Sequence, residues 1–332
     1  MSLQSAEAGL LRAALTALSP AGGRGRLSIF YFHRVLPEID PMLPDEPDVQ
    51  RFGQTVGWIA SWFRVIALSE AIARLKSGTL PSRAAAITFD DGYADNYTQA
   101  LPVLRSHGLT ATFFIATGFI ERGRMWNDTV IEAIRRTSHE SLDLSGLGLG
   151  RFALRSVDQR RAVADSLLHK IKHLEHQQRT EVVGAIEVAC AATLPMDLML
   201  SGEEIRGLSS AGMEVGAHTH THPILTRLDD ASARKEISSS RELLRDLTGQ
   251  TIELFAYPNG LPGRDFDGRH VAMVRDAGFR GAVTTAAGAS DKDADCLQLP
   301  RFTPWDRTRQ RFGIRCLGNY WRSGADAFRA YK

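Results

Sequence analysis

The sequence predicts an α/β protein, a (β/α) barrel of about seven strands carrying a helical insertion. Three observations predict it. Short apolar runs near Leu27, Val65, Ile87, Phe113, Val215, Leu254, Val283 and Leu297 alternate with helix-like stretches, giving seven or eight strands. That number suits a barrel better than an open sheet. The run Ala85–Phe89 is apolar but for Thr88 and ends in Asp90-Asp91-Gly92, as expected of a buried parallel strand that delivers carboxylates to the carboxyl end of the sheet. Finally, the alternation breaks between Arg124 and Leu200, where the helical periodicity predicts an insertion on one barrel loop.

Composition bounds the function. The chain has 332 residues, 43% of them hydrophobic, enough to bury a large core. Its 40 basic and 38 acidic residues leave a formal charge of +2, too weak a field to argue for nucleic acid. Cys190, Cys296 and Cys316 are widely spaced and odd in number, which reads as structural thiols in a reduced compartment. No apolar run reaches the length of a membrane span.

Residues 1–26 read as an N-terminal extension of helical character. Leu10, Leu11, Ala14, Leu15 and Leu18 form an apolar face before Pro20, Gly22 and Gly23, while Glu7 and Arg12 interrupt what a signal peptide would need. Two readings stay open for this face: a helix packed on the domain, or a peripheral contact with a membrane surface. The expected location is cytoplasmic or peripheral to the inner membrane.

Residues 27–332 form the main domain. Leu27–His33 is an aromatic, apolar strand ending in a histidine, and Phe52–Phe63 has helical spacing. The strand Arg64–Leu68 follows, then a helix Glu70–Lys76 that Ser69 would cap and Gly78 would end. After the Ala85–Asp91 strand comes a helix Asn96–His107 and a strand Ala111–Thr117, a unit that builds parallel sheet. The insertion, at about 124–200, contains a predicted helix Val157–Ala192, with His169, His173 and His176 on a face read as solvated. Downstream, Gly212–Gly216 leads into a histidine-rich stretch. The helix Ala231–Leu247, the strand Ile252–Tyr257, the helix Val271–Ala277 and the strand Gly281–Thr285 follow.

Chemistry concentrates at two strand ends. Asp-Asp-Gly alone is also what a surface turn selects. Gly216-Ala217-His218-Thr219-His220-Thr221-His222-Pro223 changes its weight, because two histidines and one carboxylate are a common ligand set for a divalent catalytic ion. His218 and His222, four apart, can converge on one ion while His220 points elsewhere. One carboxylate of the Asp90-Asp91 pair would complete the set and the other would serve as a base.

Thr88-Phe89-Asp90-Asp91-Gly92 and His218-Thr219-x-x-His222 resemble the first two motifs of the NodB-like polysaccharide deacetylases, carbohydrate esterase family 4. The resemblance covers roughly Leu27 to Trp305. It implies a deformed (β/α) barrel, Asp90 as general base, and a divalent metal, most often zinc, held by Asp91, His218 and His222. Phe255-Ala256-Tyr257-Pro258-Asn259-Gly260 resembles the third motif, with Tyr257, Pro258 and Asn259 at the substrate and backbone N–H groups for the oxyanion.

Two departures stand out. Ala256 replaces the arginine that usually steadies the base, and Arg301 in Leu299-Pro300-Arg301-Phe302 is the candidate substitute. The family's carboxy-terminal histidine motif is missing, since no histidine follows His270. Tyr31-Phe32-His33-Arg34-Val35 is similar to the branch that modifies exopolysaccharides and poly-N-acetylglucosamine, where an early histidine fills that role; His33 is therefore the candidate general acid. Trp126, Asn127 and Asp128 would line a sugar subsite, while core packing is the expected role of Trp305.

The implied activity is metal-dependent removal of N-acetyl groups from amino sugars of a polysaccharide or a lipid-linked oligosaccharide precursor, with release of acetate. O-acetyl or other amide hydrolysis at the same site is the first rival. The second is a carbohydrate-binding or assembly component of exopolysaccharide export with little turnover.

Overall fold

The alternating units close on themselves. In the computed structural model, which describes residues 3–121 and 123–321, the helix α1 (Leu3–Leu18) precedes β1 (Ser28–Phe32), α2 (Val49–Trp62), β2 (Arg64–Val65), α3 (Leu68–Ser77) and β3 (Ala84–Phe89). A π-turn at Asn96–Ala100 runs into α4 (Leu101–Ser106), followed by β4 (Thr112–Ile115) and α5 (Trp126–Arg136). The hairpin β5 (Ser141–Leu144) and β6 (Gly150–Ala153) leads to α6 (Val157–Ile171), α7 (His176–Cys190) and α8 (Gly202–Ser210). The chain continues through β7 (Glu214–Ala217), α9 (Asp230–Thr248), β8 (Leu254–Ala256), α10 (Gly268–Asp276), β9 (Gly281–Ala287), β10 (Leu299–Arg301) and α11 (Arg309–Asn319).

Seven strands follow one another in the order β1-β3-β4-β7-β8-β9-β10, all pairs parallel. The ring closes just beyond β10, where Phe302 N–H donates to Ile29 O at 2.7 Å and Tyr31 N–H donates to Phe302 O at 3.2 Å. The barrel is deformed in identifiable places. β7 and β8 share a single residue pair, β9 and β10 shift register, and β2 occupies only the start of the β3 edge that β4 takes further along.

Alternation sorts the side chains into two cores. Ala85, Ile87, Phe89, Phe113 and Phe255 face the helices and pack with Val56, Ile59 and Ile237; Phe89 stacks on Phe113 at 4.7 Å. The other face, with Ile29, Ala86, Phe114, Ala256, Val283 and Leu299, fills the barrel, and Leu68, Ile72 and Leu75 of α3 join it. Gly281 makes room for α3: a Cβ there would stand 2.3 Å from Ile72 Cδ1 and force that side chain to shift. Toward the carboxyl ends this interior changes character: Tyr31, Thr88 and Arg301 continue the inward rows begun by Ile29, Ala86 and Leu299. The apolar interior therefore becomes polar where the site lies.

Several boundaries correct the sequence reading. The helix after β2 is not capped by Ser69. Ala67 takes the cap position without a side-chain bond, and Glu214 from β7 accepts the N–H groups of Leu68 at 2.8 Å and Ser69 at 3.2 Å. Val157–Ala192 is two helices, α6 and α7, broken at 172–175, and the insertion also contains the β5–β6 hairpin. A third apolar cluster, including Val130, Ile134, Leu144, Leu167 and Ile186, gives the insertion its own core. α1 buries Leu15 in the main core and leaves Leu10 exposed. The three cysteines are free and buried. No helix among the described residues is long and apolar enough to cross a membrane.

Candidate active site

The end of β3 sends its two carboxylates in different directions. Asp90 N–H still donates to Phe32 O at 3.0 Å, so Asp90 keeps the strand geometry and points inward after Thr88. Asp91 then adopts φ 74° and Gly92 φ 86°, turning the chain through the left-handed region that Asp and Gly tolerate best. The turn aims Asp91 at the loop after β7.

That loop is bent as sharply, with Thr219 at φ 62° and His222 at φ 54°. Such residues each cost about 1–3 kcal/mol unless their surroundings enforce them. Here one carboxylate does much of the enforcing. Glu236 of α9 accepts from His220 N–H at 2.8 Å, Thr221 N–H at 2.7 Å and Thr221 Oγ1 at 2.7 Å. Thr219 Oγ1 accepts from His222 N–H at 3.2 Å. His220 pairs through Nδ1 with Thr117 Oγ1 at 3.0 Å, away from its two neighbours. His218 and His222 thus converge on Asp91, whose Oδ1 lies 3.4 Å and 3.3 Å from their Nε2 atoms.

This donor set fits a divalent ion. With ligand bonds of about 2.1 Å, the edges of a tetrahedral site measure about 3.4 Å, the spacing seen from Asp91 Oδ1 to each histidine, and the three ligand atoms all lie within 4.8 Å of one another. His218 Nδ1 lies 2.8 Å from Ala256 O; donating there leaves Nε2 as a lone-pair ligand. Burial pushes His222 down to about 4, so its imidazole is neutral, the ligating form. Burial would raise the Asp91 carboxyl, but His222 and His218 outweigh it and keep Asp91 ionised. His218 moves upward, because Asp91 and Asp90 outweigh burial; a bound cation competes with that proton. Among the described residues no other trio of His, Cys, Asp or Glu converges in this way.

Arg301 reaches Asp90 from β10. Its Nη1 donates to Asp90 Oδ1 at 2.7 Å and its Nη2 to Oδ2 at 2.6 Å, while Nε donates to Thr284 O at 2.8 Å. Tyr31 lies under the guanidinium, 4.3 Å from ring centroid to Cζ. Burial would raise Asp90, yet Arg301, with His218 and His33 behind it, holds the carboxyl below its usual range.

These residues open into a cavity of about 670 Å³, within the range of ligand sites. His33, Asp90, Asp91, His218, His222 and Asn259 line its floor, and Trp126, Asn127 and Asp128 one wall. His33 is held through its carbonyl, which accepts from Asn96 Nδ2 at 2.8 Å. Asp128 accepts from Tyr93 Oη at 3.1 Å and Met125 N–H at 2.9 Å, and burial pushes its carboxyl up to about 6. Asn127 Nδ2 donates to Tyr93 Oη at 3.3 Å, while its buried Oδ1 has no partner in the protein.

Other expectations need correction. Tyr257 does not reach the cavity: its ring stacks on Phe266 at 3.8 Å and its hydroxyl donates to Leu297 O at 3.0 Å, so its side chain belongs to the core. Pro258 is buried and outside the lining; of that motif Asn259 alone is at the wall. Trp305 is 61% exposed and not a core residue. Trp126 is at the cavity, but the guanidinium of Arg179 covers one face of its indole, with Cζ 4.9 Å from the ring centroid. The histidines of the insertion are not simply a solvated face: His169 lines the cavity, His173 Nε2 lies 3.0 Å from Arg264 Nη2, and the side chain of His176 lies outside the described residues. Sequence reasoning missed Tyr93, Lys172, Arg179, Glu236 and Arg264. Tyr93, directly after Asp-Asp-Gly, was the one with a local signal.

A family model described as polysaccharide deacetylase matches residues 77–282, more than half of the chain. The chain belongs to the polysaccharide deacetylase family. YxkH of Bacillus subtilis (strain 168), which carries the same family name, is 22% identical over 240 residues; the match covers 72% of this chain and 58% of that protein. Among solved structures, the deacetylase PplD of Streptococcus pyogenes, in complex with acetate, aligns over 89% of this chain and 98% of its own, with 16% identity and a TM-score of 0.58. IcaB from Ammonifex degensii aligns over 92% of this chain and 99% of its own, with 18% identity and a TM-score of 0.56. At these identities the likeness is one of fold. In this polysaccharide deacetylase the guanidinium beside Asp90 comes from Arg301 of β10, while Ala256 stands at the end of β8.

Proposed function

We propose that the protein is a metal-dependent hydrolase that removes N-acetyl groups from the amino sugars of a polysaccharide or of its lipid-linked precursor. The observation that carries this reading is the Asp90–Arg301 pair beside the Asp91–His218–His222 trio, a base and a cation site sharing one cavity floor. A divalent ion held by that trio, with zinc the first choice, would polarise the acetyl carbonyl and make water acidic at neutral pH.

The chain's own residues supply the rest. Asp90 takes a proton from the attacking water, and Arg301 keeps it ionised and fixes its orientation. The Asn259 turn contributes backbone N–H groups to the oxyanion. His33, on the same floor, delivers a proton to the departing amine. A pure binding component has no evident use for a base held this firmly.

The test is acetate release from N-acetylglucosamine oligomers by metal-reconstituted protein, with Asp90→Asn and His33→Ala in parallel. Loss of turnover in both, with metal content unchanged, is the expected result. An inactive parent that has bound metal would overturn the N-acetyl reading in favour of O-acetyl substrates.

A further inference from the structure

One wall of the cavity is cationic, and the reaction proposed above makes no use of it. The turn between α6 and α7 brings Lys172 to the lining, α7 brings Arg179, and the loop after β8 brings Arg264. His173 and Arg227 stand close behind, near enough to Arg264 and Lys172 that, after burial, these cations are what hold His173 below its ordinary value. Lys172 too is lowered, by burial, which outweighs the pull of Asp265; Arg264 adds a smaller push in the same direction as burial.

The counter-charge is sparse. Asp265 is the carboxylate on this wall; its Oδ2 already accepts from Leu261 N–H at 3.0 Å, and its Oδ1 is 3.9 Å from Arg264 Nε. Arg179 has a structural part as well, stacked on Trp126 and donating through Nη1 to Lys172 O at 3.4 Å, which shapes the α6–α7 turn. Lys172 and Arg264 are different: they come from two separate segments and meet at the same wall despite their repulsion. Gathering like charges at a partly desolvated wall is unfavourable unless an anion joins them.

We propose that this wall binds an anionic group, carboxylate or phosphate, carried by the substrate next to the acylated amino sugar, with Lys172 and Arg264 as its main contacts. The inference rests on the N-acetyl reading and deepens it. The substrate is then an acidic chain, a uronate-containing polymer or a sugar phosphate, in place of a neutral homopolymer. The helical insertion becomes the element that selects it.

Calorimetry on the full chain tests this, with a hyaluronan tetrasaccharide (N-acetylglucosamine alternating with glucuronate) against chitotetraose, and N-acetylglucosamine 1-phosphate against N-acetylglucosamine. At least one anionic ligand should bind on the order of ten-fold tighter than its neutral counterpart, and the arm that does so identifies carboxylate or phosphate. The preference should shrink between about 0.05 M and about 0.5 M salt. It should disappear in Lys172→Ala/Arg264→Ala and persist in Lys172→Arg/Arg264→Lys, which guards against a folding defect. Equal binding of charged and neutral ligands, or a preference that survives the alanine pair, overturns the inference alone. Acetate release from chitotetraose, measured alongside, reports on the N-acetyl reading separately.

Discussion

Arg301 and Asp90 sit 211 residues apart in the chain and form a two-bond fork, at 2.7 and 2.6 Å, in the barrel interior. The guanidinium comes from β10 and the carboxylate from the end of β3, with β1 between them in the closed ring. Each partner is nearly fully buried, so neither tolerates the loss of the other. Arg301→Met should destabilise the protein by about 3–5 kcal/mol, and Asp90→Asn/Arg301→Met should recover much of that. Urea unfolding of the three proteins decides it; equal stability of both variants would show that Asp90 is solvated without its partner.

Glu236 touches no substrate, yet it holds the loop that carries His222. Glu236→Gln keeps one acceptor oxygen but cannot satisfy three donors. Its metal affinity should fall by about 10- to 100-fold while far-ultraviolet circular dichroism stays unchanged. Competition with a chelating dye gives the affinity, and an unaltered value would assign loop rigidity to Thr219 and Thr117 instead.

Asp91→Asn, His218→Ala and His222→Ala should each abolish stoichiometric metal binding, because three ligands are the minimum such a site offers. The parent should also melt at higher temperature with added zinc than after chelation, since the ion binds only the folded chain. Elemental analysis and thermal melts provide both readings.

Asp128 gives a pH dependence whose sign follows from its burial. Burial pushes its folded carboxyl up to about 6, above the ordinary aspartate value of 3.8, so its stabilising contribution is complete in acid and is lost as pH rises through about 6. A difference of roughly two units amounts to about 3 kcal/mol. Metal-free parent should therefore lose up to about that much stability relative to Asp128→Asn between pH 4 and pH 7. Parallel urea titrations at the two pH values measure the difference; a constant gap would place the ionised carboxylate in contact with water.

Much of the site was legible because its motifs are local. Asp90-Asp91-Gly92 and His218-x-x-x-His222 each lie within a single turn of chain, so spacing alone carries their geometry. Arg301 was legible as a vacancy filled: Ala256 left a charge to be found, and the chain offered an arginine at a late strand end. Tyr257 was misplaced because its motif carries no sign of which way one aromatic ring turns, and here Phe266 and Leu297 O claim it. Ser69 looked like a cap, but the carboxylate that serves the start of α3 belongs to Glu214, 145 residues further along.

The sequence by itself determined the strand pattern, the barrel class, the family motifs and the two histidines and carboxylate pair from which the candidate metal site is built, since these depend on periodicity and on residues close in the chain. Tertiary structure decided which of two adjacent aspartates meets Arg301 and which meets the histidines, that Glu236 pins the loop, and that Lys172 and Arg264 converge on one wall. Those relationships depend on ring closure, on left-handed turns and on the docking of an insertion. Each joins segments tens to hundreds of residues apart, and no local pattern records where they meet.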